Sequence, residues 1–329
     1  MVATVGIIAN PISGKDIRRL VAHGSVFDNQ EKVRIVRRML MGLQTVGIEH
    51  VLYMPDSYAI VDRALRGCSV AMNVTAVPMS IENNQDDSTR AADWMDANGV
   101  GAVIVLGGDG TCRAVAKGTT RIPLMPISTG TNNVFPCMIE ATVAGLAAGL
   151  IAGGVVSQQD GVYRSCRLEV VEKGTVIDTA LVDVAVYNDL FVASRAIWDM
   201  TKVTQIFLTR CCPESIGLSS IGGQLLTITP HEAKGLHLAL GNGSRSVTAA
   251  IAPGLLQAVT LTSAEQMLLG EAFEVVTVPC LLALDGEREI EVRKGRTVSI
   301  RLSAQGPLVI DVARTMAAAQ RSGVFIKKR

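Results

Sequence analysis

The sequence predicts an α/β N-terminal domain with an open parallel sheet, followed by an antiparallel all-β sandwich domain. Three observations lead to this reading. The first half alternates short apolar runs with helically spaced apolar residues, which is the pattern of repeated β-α units. After Gly154 the runs crowd together, separated by turn signals such as Glu172-Lys173-Gly174, Gly241-Asn242-Gly243 and Lys294-Gly295, and this texture marks an antiparallel β domain. Finally, three predicted strands of the first half end in small, hydroxylated, glycine-containing loops. Ligands of open α/β sheets sit at such strand ends.

The elements follow in order. Residues 5–9 read as the first strand. Val33, Val36, Leu40 and Leu43 have helical spacing, and Gly47 closes that helix. A strand over 49–54, a helix over about 58–65 and a strand over about 70–77 come next. Asp87 or Ser88 is expected to cap the following helix, which carries Ala91 and Met95 and stops at Asn98-Gly99. A buried strand over 102–106, a helix from Thr111, a strand over 122–127 and a helix over 141–153 complete the half. In the second half, residues 167–171, 176–186, 236–240, 247–251, 258–261, 273–284 and 298–302 read as strands. Residues 194–208 allow a helix through Ile197, Met200, Val203 and Phe207, and the tail over 311–320 looks helical. The expected domains are 1–153, 154–305 and a C-terminal segment 306–329 that returns to the first domain.

Composition narrows the function classes. A chain of 329 residues holds two domains with full cores, and with 48% hydrophobic but only 4% aromatic residues those cores are aliphatic. A formal net charge of +1 gives no global field toward nucleic acid or an acidic membrane. The seven cysteines form no Cys-x-x-Cys pair, so they read as reduced, mostly buried thiols of a cytoplasmic protein. No basic segment precedes the first apolar run, which is a strand and not a signal peptide. The longest apolar stretch, 141–156, is interrupted by Gly145, Gly149, Gly153 and Gly154, and is too short for a membrane span.

The richest motif is Gly107-Gly108-Asp109-Gly110-Thr111. A strand running into a glycine-rich turn brings backbone N–H groups close to a ligand, and phosphate is the usual one. Glycine leaves no Cβ in the way. A carboxylate in that turn does not bind phosphate, so Asp109 would contact Mg²⁺ or take a proton from an acceptor hydroxyl. The alternative is an N-cap of the helix that follows. Asn10-Pro11-Ile12-Ser13-Gly14-Lys15 and Ser128-Thr129-Gly130-Thr131-Asn132-Asn133 follow two other strands. Together they suggest a nucleotide cradle of Asn10, Ser13, Gly14, Gly107, Gly108, Gly110, Thr111, Thr129, Gly130, Thr131 and Asn132. Lys15, Arg18 and Arg19 can reach phosphate oxygens or serve as ordinary surface cations.

These three loops, in this order, resemble the NAD kinase / diacylglycerol kinase superfamily. Within it, residues 10–19 and 217–223 resemble the ATP-NAD kinase-like branch that includes acetoin catabolism protein X. The resemblance implies an ATP-dependent phosphotransferase acting on a hydroxyl acceptor, with NAD⁺ or NADH first, ATP and Mg²⁺ as cofactors, and a homodimer or homotetramer. It implies small-molecule substrates, and neither nucleic acid nor membrane as partner. Asn188-Asp189 resembles the dinucleotide site of NAD kinases, and is equally readable as a turn. Asp285-Gly286-Glu287 resembles the Asp-Gly-Glu of diacylglycerol kinases, which makes Glu287 a catalytic candidate beside Asp109; Asp-Gly is also a hairpin signal, and both can hold. The stretch 211–223, with Ser219 and Ser220, takes the place of a loop that closes over the dinucleotide in NAD kinases. It lacks that loop's acidic residue and usual order, so the acceptor stays open. Another small hydroxylated metabolite, a lipid, or a non-catalytic nucleotide-binding regulatory role are the alternatives.

Overall fold

A computed structural model describes residues 3–14, 27–189 and 199–326; the side chains of 287–289 are also outside the described set. The chain opens with β1 (Thr4–Ala9), α1 (Asn29–Thr45), β2 (His50–Tyr53), α2 (Ile60–Leu65), β3 (Asn73–Ala76), α3 (Asp86–Ala97), β4 (Ala102–Gly107), α4 (Asp109–Gly118), β5 (Leu124–Ser128), α5 (Ala141–Ala152), the short α6 (Gln158–Gly161) and β6 (Val162–Arg164). It continues with β7 (Arg167–Glu172), β8 (Thr175–Ala180), β9 (Asp183–Tyr187), a 3₁₀ turn (Met200–Lys202), β10 (Val203–Leu208), α7 (Ser219–Gly223), β11 (Lys234–Ala252), β12 (Leu255–Leu268), β13 (Ala272–Glu274), β14 (Cys280–Leu284), β15 (Glu287–Val292), β16 (Val298–Ser303), β17 (Leu308–Ile310) and α8 (Val312–Ser322).

The first sheet has the order β3-β2-β1-β4-β5-β17-β6 and is parallel except for the β17–β6 pair. β1 and β4 are wholly buried or nearly so because helices cover both sheet faces, which is why they read as continuous apolar runs. One core, with Ile7, Ile104 and Val51, packs under α1 and α5; the other, with Ile8, Val103 and Val105, packs under α3 and α4. Strand order reverses between β1 and β4, since β2 pairs with β1 on one side and β4 on the other. Such a switch point opens a crevice between the two strand ends, where α/β sheets bind ligands.

The second half forms a six-stranded sheet, β12-β11-β10-β9-β14-β15, and a four-stranded sheet, β13-β16-β7-β8. Both are antiparallel. Val184, Val186, Phe207, Leu282, Ile300 and Leu302 fill the space between them.

Several expected elements differ from those found. Residues 203–208 are strand β10, not the end of a helix, because Val203, Gln205, Ile206, Phe207 and Leu208 are buried between β9 and β11; residues 194–198 lie outside the described set. The expected strand 176–186 is two strands in different sheets, β8 and β9. The expected strand 273–284 likewise divides into β13 and β14. In contrast, 236–240 and 247–251 belong to one strand, β11. The Gly241-Asn242-Gly243 signal is a bulge rather than a turn: Leu240 and Arg245 both face Leu261 of β12. Asp87 does not cap α3. It lies inside the first turn, and its carboxylate accepts N–H bonds from Glu82 (3.0 Å) and Asn83 (2.7 Å).

Candidate nucleotide-binding cleft at the sheet switch point

In the loop after β1, Asn10 and Ser13 are tied to their neighbours. The Asn10 N–H donates to Leu106 O at 3.1 Å, extending the β1–β4 ladder. Asn10 Oδ1 accepts from the Ile12 N–H (2.9 Å), while Nδ2 donates to Thr111 Oγ1 (3.0 Å). Ser13 Oγ donates to Asn10 O (2.8 Å) and lies 3.0 Å from Thr129 Oγ1. The Thr129 N–H donates to Gly107 O at 3.1 Å. The loops after β1, β4 and β5 are therefore one hydrogen-bonded surface at the switch point. Gly14 stands at φ +77°, where a Cβ would lie 2.7 Å from Thr129 O, so only glycine fits.

Lys32 underlies this surface and escapes sequence reasoning. It is wholly buried, and its Nζ donates to Asn10 O (2.7 Å), Ser13 O (2.7 Å) and Asn29 Oδ1 (3.0 Å). An ammonium has three donors, so the loop carbonyls orient toward α1. One signal exists in the sequence: Asn29, Lys32, Val36 and Leu43 share the buried stripe of α1. Lys15, Arg18 and Arg19 lie outside the described residues.

The Gly107–Thr111 turn begins α4 two residues earlier than expected, with Gly108 at the N-cap and no side-chain cap. Gly110 and Thr111 occupy the first turn. A Cβ on Gly107 would lie 2.4 Å from Thr111 Cβ, and one on Gly108 2.7 Å from Asn133 Oδ1. Asp109 is not an N-cap. Its Oδ1 accepts from the N–H groups of Phe135 (2.7 Å) and Val134 (3.1 Å), and its Oδ2 also accepts from Val134 (3.1 Å). The carboxylate thus pins the loop after β5, while α4 keeps an N-terminus without a side-chain cap, a site that favours anions. In that loop Ser128 Oγ donates to Gly130 O (2.7 Å), Thr131 is exposed, and Asn132 Oδ1 is buried without a hydrogen-bond partner.

Asp109 and Asn132 line a cleft that the second half completes with Asp183, Gly217, Leu218, Ile251, Asp285 and Gly286. Asp285 (φ +50°) and Gly286 (φ +80°) form the turn between β14 and β15; two successive positive φ values are what a two-residue hairpin demands. The Asp285 carboxylate is buried and accepts N–H bonds from Leu181 (2.9 Å), Val182 (2.8 Å) and Asp183 (3.2 Å). Burial pushes its pKa above the usual carboxylate range, and Arg113 together with these three amides pulls it part of the way back. Glu287 begins β15 opposite Leu284; its side chain is outside the described set. Nothing local in the sequence distinguishes Asp183.

The candidate acceptor residues divide. Asn188 is exposed, and Asp189 pairs with Lys202 Nζ at 2.7 Å; neither lines the cleft. Ser219 and Ser220 are buried at the start of α7. Ser220 Oγ donates to Gly217 O (2.6 Å) and to Ala250 O (3.1 Å), which holds the Gly217 loop against the cleft, and Ser219 Oγ has no partner. Cys112 and Cys211 are not nucleophiles here: burial pushes Cys112 well up and Cys211 up to about 11, leaving both protonated. Among the described residues no helix is long and apolar enough to cross a membrane, and no group of three or more His, Cys, Asp or Glu residues could hold a metal ion.

The first half has an NAD kinase-like fold. Residues 5–155 match the ATP-NAD kinase N-terminal domain. The yeast NADH kinase, solved in complex with NADH, superposes over 100% of this chain and 89% of its own with a TM-score of 0.52 at 12% identity, a likeness of fold alone. Residues 166–305 match the acetoin catabolism protein X C-terminal domain. The acetoin catabolism protein X of Cupriavidus necator is 37% identical over 96% of this chain and 92% of its own length. The chain belongs to the acetoin catabolism protein X family, a kinase-type fold.

Proposed function

We propose that the protein is an ATP-dependent phosphotransferase with a hydroxyl acceptor, and that the acceptor is NAD⁺ or NADH. The observation that carries this reading is the convergence of three strand-end loops on the β1/β4 switch point, joined by the Asn10–Thr111 and Ser13–Thr129 hydrogen bonds. Phosphoryl transfer asks a protein mainly for positioning and charge neutralisation. The first-turn N–H groups of α4, the Thr111, Ser13 and Thr129 hydroxyls and the Asn10 amide suit a polyphosphate. ATP, when bound, supplies the phosphoryl group. Mg²⁺ is usually held by one or two carboxylates and the substrate phosphates, and Asp109 is the carboxylate at the turn. Across the cleft, Asp285-Gly286-Glu287 and the Gly217–Ser220 segment would face the acceptor. The yeast neighbour, an NADH kinase, supports putting NAD(H) ahead of other hydroxylated metabolites or lipids.

One observation favours a second reading, a non-catalytic nucleotide sensor: Asp109 already accepts from two backbone N–H groups, which is a structural role. Phosphate transfer from ATP, assayed against NAD⁺ and NADH first and then other hydroxylated acceptors, separates the readings. Transfer to NAD(H) is expected. Tight ATP binding with no transfer to any acceptor would favour the sensor, and failure to bind ATP would sink both.

A further inference from the structure

Arg113 lies on α4 four residues beyond Asp109, one turn further along the same helix face. It is 1% exposed, among the least accessible large side chains in the molecule. Its neighbours come from the other half of the chain. Arg113 Nε is 3.6 Å from Asp285 Oδ2, and Nη1 is 3.7 Å from Asp178 Oδ2 on β8. One turn on, Lys117 Nζ reaches Asp178 Oδ1 at 2.7 Å. A buried guanidinium between carboxylates of two other elements is expensive to desolvate and strongly destabilising to unpair. It therefore favours one relative placement of those elements.

We propose that Arg113 is a positioning residue that couples the phosphate side of the cleft to the acceptor side. It fixes Asp285, and through Asp285 the turn that carries Gly286 and Glu287, against the helix whose N-terminus is the phosphate site. The chain of contacts is continuous. Asp285 Oδ1 and Oδ2 accept from Leu181, Val182 and Asp183, the Asp285 N–H donates to Asp183 O at 3.0 Å, and Asp109, Asp183 and Asp285 line the same cleft. A nucleotide that draws on the first turn of α4 would thus act, through a rigid helical turn and a buried ion pair, on the acceptor-side hairpin. The roles of the two sides rest on the phosphotransferase reading; the contact does not.

Amide hydrogen exchange tests the coupling without turnover. In Arg113→Met, exchange at Leu181, Val182 and Asp183 should rise at least about tenfold, while β1 and β4 amides stay at wild-type rates. Arg113→Lys, which keeps the charge but not the planar fork, should restore part of the protection; it also answers the question if the methionine variant does not fold. ATP should slow exchange at the same three amides in the wild type and lose that effect in Arg113→Met. Unchanged exchange at these amides in a folded Arg113→Met protein, or a uniform rise across all strands, would overturn the coupling. If ATP fails to bind the wild type, the phosphotransferase reading falls, and the ligand-free comparison still decides the role of Arg113. In an active enzyme, Arg113→Met should lower kcat at least about tenfold with the ATP dissociation constant nearly unchanged.

Discussion

Asp109→Asn separates the structural role of one side chain from the catalytic role proposed for it. The carboxylate receives N–H bonds from Val134 and Phe135. Asparagine keeps Oδ1 as an acceptor for both but loses the negative charge and turns an NH₂ toward the position of Oδ2. Hydrogen bonds to a charged group are worth about 1.5–3 kcal/mol against about 0.5–1.5 for neutral ones. Two weakened bonds therefore cost about 2 kcal/mol, or roughly 4–8 °C in the thermal midpoint of a domain this size. Faster exchange at the Val134 and Phe135 amides should accompany the loss. If Asp109 is also the base or metal contact, kcat should fall by at least about 10²-fold while ATP affinity holds within a modest factor. Differential scanning fluorimetry, amide exchange and steady-state kinetics on one preparation measure all three. Wild-type stability with wild-type exchange at 134 and 135 would refute the pinning argument, and full activity would refute the catalytic one.

Other perturbations carry equally definite outcomes. Lys32→Met removes the three donors that hold Asn10 O, Ser13 O and Asn29 Oδ1; it should cost about 3–5 kcal/mol and weaken ATP binding, as read by denaturant titration and calorimetry. Gly108→Val would bring branched carbons to Asn133, whose Oδ1 is already 2.7 Å from a simple Cβ, so ATP binding should be lost with the secondary structure kept, and unchanged calorimetric affinity would move the cradle elsewhere. For Glu169, burial pushes the pKa upward, but hydrogen bonds from Arg167 and Arg301 outweigh it and hold the carboxyl below the usual range. A folded-state value below the unfolded one means that its stabilisation is present above the unfolded value and is lost as pH falls through the folded one. Glu169→Gln should therefore flatten the acid limb of the stability curve, measured by denaturant midpoints from neutral to acid pH.

The elements legible in the sequence are those whose causes are local. The strands over 5–9 and 102–106 announce themselves as apolar runs, and the glycines after them mark where the backbone must approach something closely. The three glycine-containing loops at the strand ends are visible for the same reason. What stayed hidden depends on partners far along the chain. β10 is buried on both faces, so its apolar residues lack the alternation of a strand and fit a helical spacing as well. Gly241-Asn242-Gly243 has turn chemistry, but a partner strand that continues past it makes it a bulge. Lys32, Arg113, Asp183 and Asp285 carry the polar framework of the cleft, and each is paired by residues of another element. A charged residue amid apolar neighbours is ambiguous until its partner is known.

The placement of β17 bears on how the protein is made. β17 lies between β5 and β6 in the first sheet, pairing parallel with one and antiparallel with the other. When residues 124–164 leave the ribosome, β5 and β6 are present but the strand that joins them is not. At about 5–20 residues per second, synthesis reaches Leu308 roughly 10–40 s after Ser128. During that interval the nascent first sheet ends at β5, a buried-type strand with an unpaired edge, and such edges invite pairing with other chains. The α/β half, although it occupies the front of the sequence, can be completed only after the all-β half has been synthesised.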